Sequence, residues 1–302
     1  MFQKSGKEWQ IAETNYKQDG YLHALALAWC VRINDQFSFG LTLNFWKDWL
    51  NPNGWEQNAN KKARGEIIIG EDILPIAYEY RIIDHYSFDG FNINIGCMWK
   101  PSKKFVMGLV LKTPFKAELK HDRTVYSKID LPLSKPKRKI THRQVDEILK
   151  MPMSYGFGMA YHMSKRLAVS FDLSRTEWHR FIRKESKGKQ VSAVSGLDLN
   201  KSDIDPTHHV RIGIEYLCIN KKARYVIPLR FGAFFDPGPS ENKPDKYYGI
   251  TLGSGLSIKD YIFDIAYQCR FGNDVGDSIL QHYKFSQNIE EHHLYCSFVY
   301  HF

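Results

Sequence analysis

Apolar and polar residues alternate along much of this chain, and the alternation is plainest at its end. Counting back from Phe302, the residues Tyr300, Phe298, Cys296 and Leu294 form an unbroken apolar row, while His301, Val299, Ser297, Tyr295 and His293 form a mixed, wetter one. Period two is the period of a strand with one greasy and one wet face. The same pattern predicts strands over 21–33, 37–45, 90–99, 105–119, 153–163, 166–178, 209–217, 225–235, 248–258 and 261–271, which with 292–302 makes eleven. Residues 37–45 are the cleanest, with Phe37, Phe39, Leu41, Leu43 and Phe45 set against Ser38, Gly40, Thr42 and Asn44.

The second row decides what kind of sheet this is. Its residues are Gly, Ser, Thr and Asn, so the bulky row has no small interior to fill, and repeated over many strands it suits a lipid-facing exterior. Phe39, Leu43, Phe91, Ile95, Phe171, Phe263 and Phe298 are therefore expected to face lipid, and Asn44, Asn94, Asp172, Asp264 and Gln268 the lumen. Connections alternate short and long: tight at 34–36, 101–104, 164–165, 220–222 and 259–260, long at 46–87, 120–150, 179–206, 236–246 and 272–291. That is the mark of an all-β, antiparallel up-and-down transmembrane barrel with short periplasmic turns and long extracellular loops. Residues 1–20 are expected to be a loop or tail and 21–302 the barrel. Thr141 and Gln144 have the spacing of a capping box for one short helix within the second insertion.

Composition fits this picture. Aromatics make up 14% of the 302 residues, and no apolar run is long enough for a membrane-spanning helix. A mean hydropathy of -0.43 is compatible with a barrel, which shows lipid only every second residue. The net charge of +9 is concentrated between strands, chiefly from Lys116 to Lys150, and is expected to meet lipid headgroups or lipopolysaccharide phosphates rather than nucleic acid. The five cysteines show no metal spacing and no disulfide framework; Cys97, Cys269 and Cys296 fall on apolar rows and are expected to be free thiols. No cofactor or metal is expected. An outer-membrane lipid-modifying enzyme is disfavoured: His293 and Ser297 share a face four residues apart, too far for a hydrogen bond, and Gly253-Ser254-Gly255 is not a nucleophile elbow.

Three stretches resemble the FadL/TodX family of outer-membrane transporters for long-chain fatty acids and hydrocarbons. They run from Met151-Pro152-Met153-Ser154-Tyr155-Gly156-Phe157-Gly158 to Ser174-Arg175-Thr176-Glu177-Trp178, from Pro228 to Pro237, and from Tyr248 to Gly272. The resemblance implies a barrel of fourteen strands holding an N-terminal plug, of which this chain has the last eleven; the odd count and the lack of a secretory signal at Met1–Gln10 lead to the same expectation of missing N-terminal material. It implies a location in the outer membrane, a hydrophobic small-molecule substrate, an entry groove in the loops 46–87 and 120–150, and recognition of the final strand and Phe302 by the barrel-insertion machinery. Arg211, Arg230 and Arg270 lie on inward rows beside Glu215, Asp264 and Gln268. They either contact the anionic head of a ligand, or pair with these acids to brace the interior or hold the plug. A structural or adhesive barrel without transport is the alternative function.

Overall fold

The computed structural model describes residues 9–47, 52–69, 72–131, 134–276 and 286–301. Its strands, in chain order, are β1 (Trp9–Tyr21), β2 (Leu25–Arg32), β3 (Phe37–Trp46), β4 (Gly54–Ile69), β5 (Asp72–Ser102), β6 (Phe105–Lys112), β7 (Phe115–Asp130), β8 (Lys137–Met151), β9 (Ser154–His162), β10 (Leu167–Thr176), β11 (Ile182–Lys184), β12 (Gln190–Ser192), β13 (Thr207–Asn220), β14 (Tyr225–Phe235), β15 (Tyr248–Ile258), β16 (Tyr261–Val275) and β17 (Gln287–Tyr300). One 3-10 turn, Trp178–Arg180, follows β10. All pairings are antiparallel.

The pairing defines two zones that share strands. The belt runs β2–β3–β5–β6–β9–β10–β13–β14–β15–β16–β17, eleven strands that match those expected from alternation. The blade runs β1–β4–β5–β7–β8–β11–β12 on the long-connection side. Strand β5 has 31 residues and belongs to both. A membrane crossing needs about 9–11 residues at a tilt, so roughly 20 residues of β5 extend beyond the belt, on the order of 60 Å of strand.

In the belt, one face is apolar from edge to edge. Register carries it strand by strand: Trp29 opposite Leu41, Leu41 opposite Ile95, Cys97 opposite Leu109, Leu109 opposite Phe157, Phe157 opposite Leu173. It continues through Phe171 opposite Ile212, Ile214 opposite Phe231, Phe231 opposite Leu252, Leu252 opposite Tyr267 and Tyr267 opposite Leu294. These side chains are half-buried or exposed, Trp29 at 52% and Leu294 at 67%. A contiguous apolar surface of that extent belongs in lipid, not water. Among the described residues no helix is long and apolar enough to cross a membrane. The other face carries Asn44, Asn94, Asp172, Arg211, Arg230 and Asp264, with many glycines between them. At Gly249 glycine is required, because the Phe234 ring lies directly over it where a Cβ would stand.

Short turns close the far side. Ile258 and Tyr261 pair across the two-residue turn Lys259-Asp260, and Lys259 adopts φ 50°, the left-handed conformation that two-residue hairpins need.

Among the described residues β2 and β17 each have one neighbour in the belt, so the sheet is open there. Both edges run from the long-connection side to the short-turn side. Closing the belt with antiparallel pairing therefore takes an odd number of strands between them. A second copy related by an axis along the membrane normal would present its edges in the same direction and give only parallel pairs.

Several expectations are corrected. Residues 9–20, expected to lie in a loop or tail, form β1 together with Tyr21. The insertions are not loops: 54–69 is β4, 72–89 the first half of β5, 115–130 is β7 and 137–151 is β8. No helix forms at Thr141, which pairs with Val125, or at Gln144, which pairs with Asp122. The capping spacing was outweighed by continuous pairing to β7. Residues 179–206 hold the small strands β11 and β12. Phe302 and Trp49, and the side chains of Ile67, Ile68, Ile69 and Ile73, lie outside the described residues.

Candidate functional site

The inner face of the belt leads directly into the inner face of the blade, and their junction is the candidate site. Along β5 the even-numbered residues stay on this face throughout: Asn94, Asn92 and Gly90 in the belt, then Phe88, Tyr86 and Asp84 in the blade. Asn44 lies opposite Asn92, and Trp46 donates from Nε1 to Asn92 Oδ1 at 2.8 Å. Above it Trp46 stacks on Phe115 and meets Phe88 edge-on, with centroids 6.2 and 5.7 Å apart. Phe88, Ala117 and Leu119 are almost fully buried, at 1%, 0% and 2% exposure. With Tyr86 and Leu149 they form the core, flanked by Trp55, Met151, Phe181 and Ala193.

Beside that core lies a cavity of about 370 Å³ between the blade and the segment of β11 and β12 that folds over it. Trp55, Tyr86, Phe88, Leu119, Leu149 and Phe181 wall it, and Arg183, Gln57 and Ser192 are among its polar lining residues. Trp55 stacks on Tyr86 at 4.8 Å and Tyr86 on His121 at 4.1 Å.

Behind Tyr86 is a buried charge network. His121 sits between two carboxylates, with Nε2 2.7 Å from Asp84 Oδ1 and Nδ1 3.5 Å from Glu147 Oε1. Arg123 donates to both Asp84 oxygens, at 2.6 and 3.1 Å, and Arg183 lies 3.9 Å from Glu147. Desolvation acts against every charge here. It would raise the Asp84 carboxyl, but hydrogen bonds from Arg123 and His121 outweigh it and hold the group below its ordinary value. Glu147 is likewise lowered, desolvation being overcome by His121 and Arg183. His121 is raised, because its bonds to Glu147 and Asp84 exceed the burial cost. Burial, seconded by Asp84, pushes the Tyr86 hydroxyl up to about 12.

The residues singled out in the sequence all face inward in the belt, but as pairs. Arg230 bonds Glu215 through Nε at 2.7 Å and Asp264 through Nη1 at 2.6 Å. Arg211 pairs with Asp236 at 2.6 Å, an acid that alternation did not single out, and Asp236 also meets His209 at 3.2 Å. Arg270 pairs with Glu291 at 2.9 Å and lies 3.9 Å over the Tyr247 ring. Gln268 stands opposite His293 and Thr251 in register. The structure thus joins Arg230, Glu215 and Asp264 and leaves Arg211 and Arg270 with separate partners. The Asp84–His121–Glu147 network escaped sequence analysis. Its signal was the continuation of the even-numbered row of β5 back through Phe88, Tyr86 and Asp84.

A family model described as BamG matches residues 2–273. No curated protein matches the chain in sequence. Among solved structures the chain is similar to a Pseudomonas aeruginosa FadL homologue, at 12% identity over 95% of this chain and 86% of that one, with a TM-score of 0.47. It is also similar to the CymD monoaromatic hydrocarbon channel, at 13% identity over 86% and 82% with a TM-score of 0.42. For the P. putida toluene transporter TodX the identity is 11%, over 88% and 84%, with a TM-score of 0.39.

Proposed function

The chain belongs to the BamG family, and from its geometry we propose that it is an outer-membrane barrel protein that takes up hydrophobic molecules bearing an anionic head, such as long-chain fatty acids. The observation that carries this reading is the aromatic-walled cavity of about 370 Å³ at the junction of blade and belt, with Arg183 in its lining. An apolar pocket with a few convergent polar groups is the usual form of a small-molecule site. In the belt a hollow of about 520 Å³ is lined by Asp172, His209 and Arg211 together with Leu109, Phe157 and Leu173. Ligand would enter from the blade side, outside the cell, and pass inward. The sequence resemblance to FadL/TodX transporters supports the same substrate class. The basic strands β7 and β8 supply a surface for lipopolysaccharide phosphates.

The belt arginines are held in close pairs that favour their bracing role in the lumen; Arg183, at a looser 3.9 Å from Glu147 and 3.8 Å from Glu185, is the cation that lines the cavity and would meet the head group. The belt pairs also lend weight to a second reading, a structural barrel whose blade serves as a scaffold. Binding of a brominated fatty acid to the folded protein in detergent separates the two. Quenching of tryptophan emission is expected in the wild-type protein. It should be lost in Leu149→Trp, which fills the cavity, and weakened several-fold in Arg183→Ala. Absence of binding by any fatty acid or by toluene in the folded wild-type protein leaves the scaffold.

A further inference from the structure

We propose a zinc site on the outer face of the last hairpin, formed by Cys269, Glu290 and His292. One ligand atom from each lies within 4.8 Å of the others. The ligands are 21 residues apart in sequence at the nearest approach across the turn, 269 to 290, so spacing along the chain conceals them. Register brings them together. Cys269 on β16 stands directly opposite His292 on β17, and Glu290 is two residues from His292 and therefore on the same face. The imidazole Nε2 is 3.4 Å from Glu290 Oε1.

The imidazole is already oriented for this. The Tyr267 hydroxyl lies 2.6 Å from His292 Nδ1. When Nδ1–H donates to that oxygen, Nε2 carries the lone pair on the side of the Glu290 carboxylate, 3.4 Å away. A second bond of that kind, fixing tautomer and ring plane, is a regular companion of metal-bound histidine.

Position and chemistry agree. Along the outer rows of β16 and β17 the residues from Tyr261 to Tyr267 and from Tyr300 to Leu294 are apolar or thiol. On β17 the polar ligands Glu290 and His292 begin immediately beyond Leu294, whereas on β16 the apolar row continues past Cys269 to Phe271, opposite Glu290. Thiolate and imidazole ligands select zinc over calcium or magnesium. Tetrahedral bonds of about 2.0–2.3 Å set ligand atoms roughly 3.3–3.8 Å apart, so the trio must draw in by about 1 Å. Glu290 and His292 are exposed and free to make that adjustment. A water molecule takes the fourth position. The metal would clip edge strand β17, which has no neighbour on its other side among the described residues, to β16.

The test uses the folded protein in detergent with Cys30, Cys97, Cys218 and Cys296 replaced by serine, leaving Cys269 the sole thiol. Added Co²⁺ should give a near-ultraviolet thiolate-to-cobalt charge-transfer band that Zn²⁺ abolishes. Cys269→Ser should remove the band. His292→Ala and Glu290→Ala should weaken affinity tenfold or more, and Tyr267→Phe about 10–100-fold. In the wild-type protein, which needs no substituted background, Zn²⁺ should slow maleimide labelling of Cys269 but not of Cys296, as located by mass spectrometry. No charge-transfer band, equal affinity in His292→Ala, or labelling of Cys269 indifferent to Zn²⁺ would overturn the proposal.

Discussion

Belt and blade are made partly of the same strands, yet they put their apolar residues on opposite faces. In the belt half of β5 the outer row is Phe91, Ile93, Ile95, Cys97 and Trp99 and the inner row Gly90, Asn92, Asn94 and Gly96. In the blade half the outer row becomes Asp89, Ser87 and His85, and the inner row Phe88, Tyr86 and Asp84. Period two never breaks; only the polarity of the rows inverts, between Asp89 and Phe91. The neighbouring strands reach the same result differently. Asn94 lies opposite Lys112 and Asp89 opposite Glu118, so five steps along β5 face six along the β6–β7 path. That extra residue, at Thr113-Pro114, is a bulge that turns the odd-numbered row from outer to inner. Across it Leu109 and Leu111 face out, and Leu119 faces in. The β8–β9 path turns with it at Pro152-Met153, since Lys112 stays opposite Ser154 and Phe115 opposite Met151. What changes is the solvent: lipid lies outside the belt, whereas in the blade the buried apolar cluster of Tyr86, Phe88, Ala117, Leu119 and Leu149 packs against Phe181 and Ala193, which flank β11 and β12.

The comparison sets an order of sensitivity. Phe88→Ala, which empties the most buried aromatic of the blade, should cost about 3–5 kcal/mol, read from denaturant unfolding followed by blade tryptophans. His121→Leu should cost a similar amount, about 3–5 kcal/mol, because it leaves Asp84 and Glu147 facing an apolar group. The network also sets a pH dependence. The raised His121 contributes fully below its ordinary 6.5 and less as pH climbs through its folded value. The lowered Asp84 and Glu147 contribute above their ordinary 3.8 and 4.5, and less as pH falls through their depressed values. Blade stability should therefore peak between those limits, in mildly acid solution, and decline toward alkaline pH. Hydrogen exchange of β7 amides across that range checks this, and His121→Asn should flatten the alkaline limb.

In the belt, Ile95→Lys should cost about 2–4 kcal/mol when the protein is refolded into bilayers. Ser87→Lys, on the same row of the same strand but above the membrane, should change stability by no more than about 0.5 kcal/mol. Equal penalties at the two positions would mean that both lie in one environment.

This inversion also explains what the sequence disclosed. The belt strands were legible because lipid demands an uninterrupted apolar row, as in Phe37 to Phe45 or Tyr261 to Phe271. The blade was not. Lys137-Arg138-Lys139 and Lys61-Lys62 sit in strands wetted on both faces, where alternation carries no signal, and only the pairing of β8 to β7 overrides the capping pattern at Thr141. The inward placement of Arg230, Glu215 and Asp264 followed from parity, whereas the partners of Arg211 and Arg270, Asp236 and Glu291, depended on the ends of strands whose register no single sequence shows. The Asp84–His121–Glu147 network needed three strands to be aligned before it existed at all.

The inversion itself is tested most directly by nitroxide labels placed singly at each position from 84 to 98 of β5, in a cysteine-free background reconstituted in bilayers, with collision rates for oxygen and a water-soluble nickel chelate. The predicted result is high oxygen access at 91, 93, 95 and 97, high chelate access at 85, 87 and 89, and protection from both at 84, 86 and 88. Oxygen access that continued in phase through 85, 87 and 89 would contradict it.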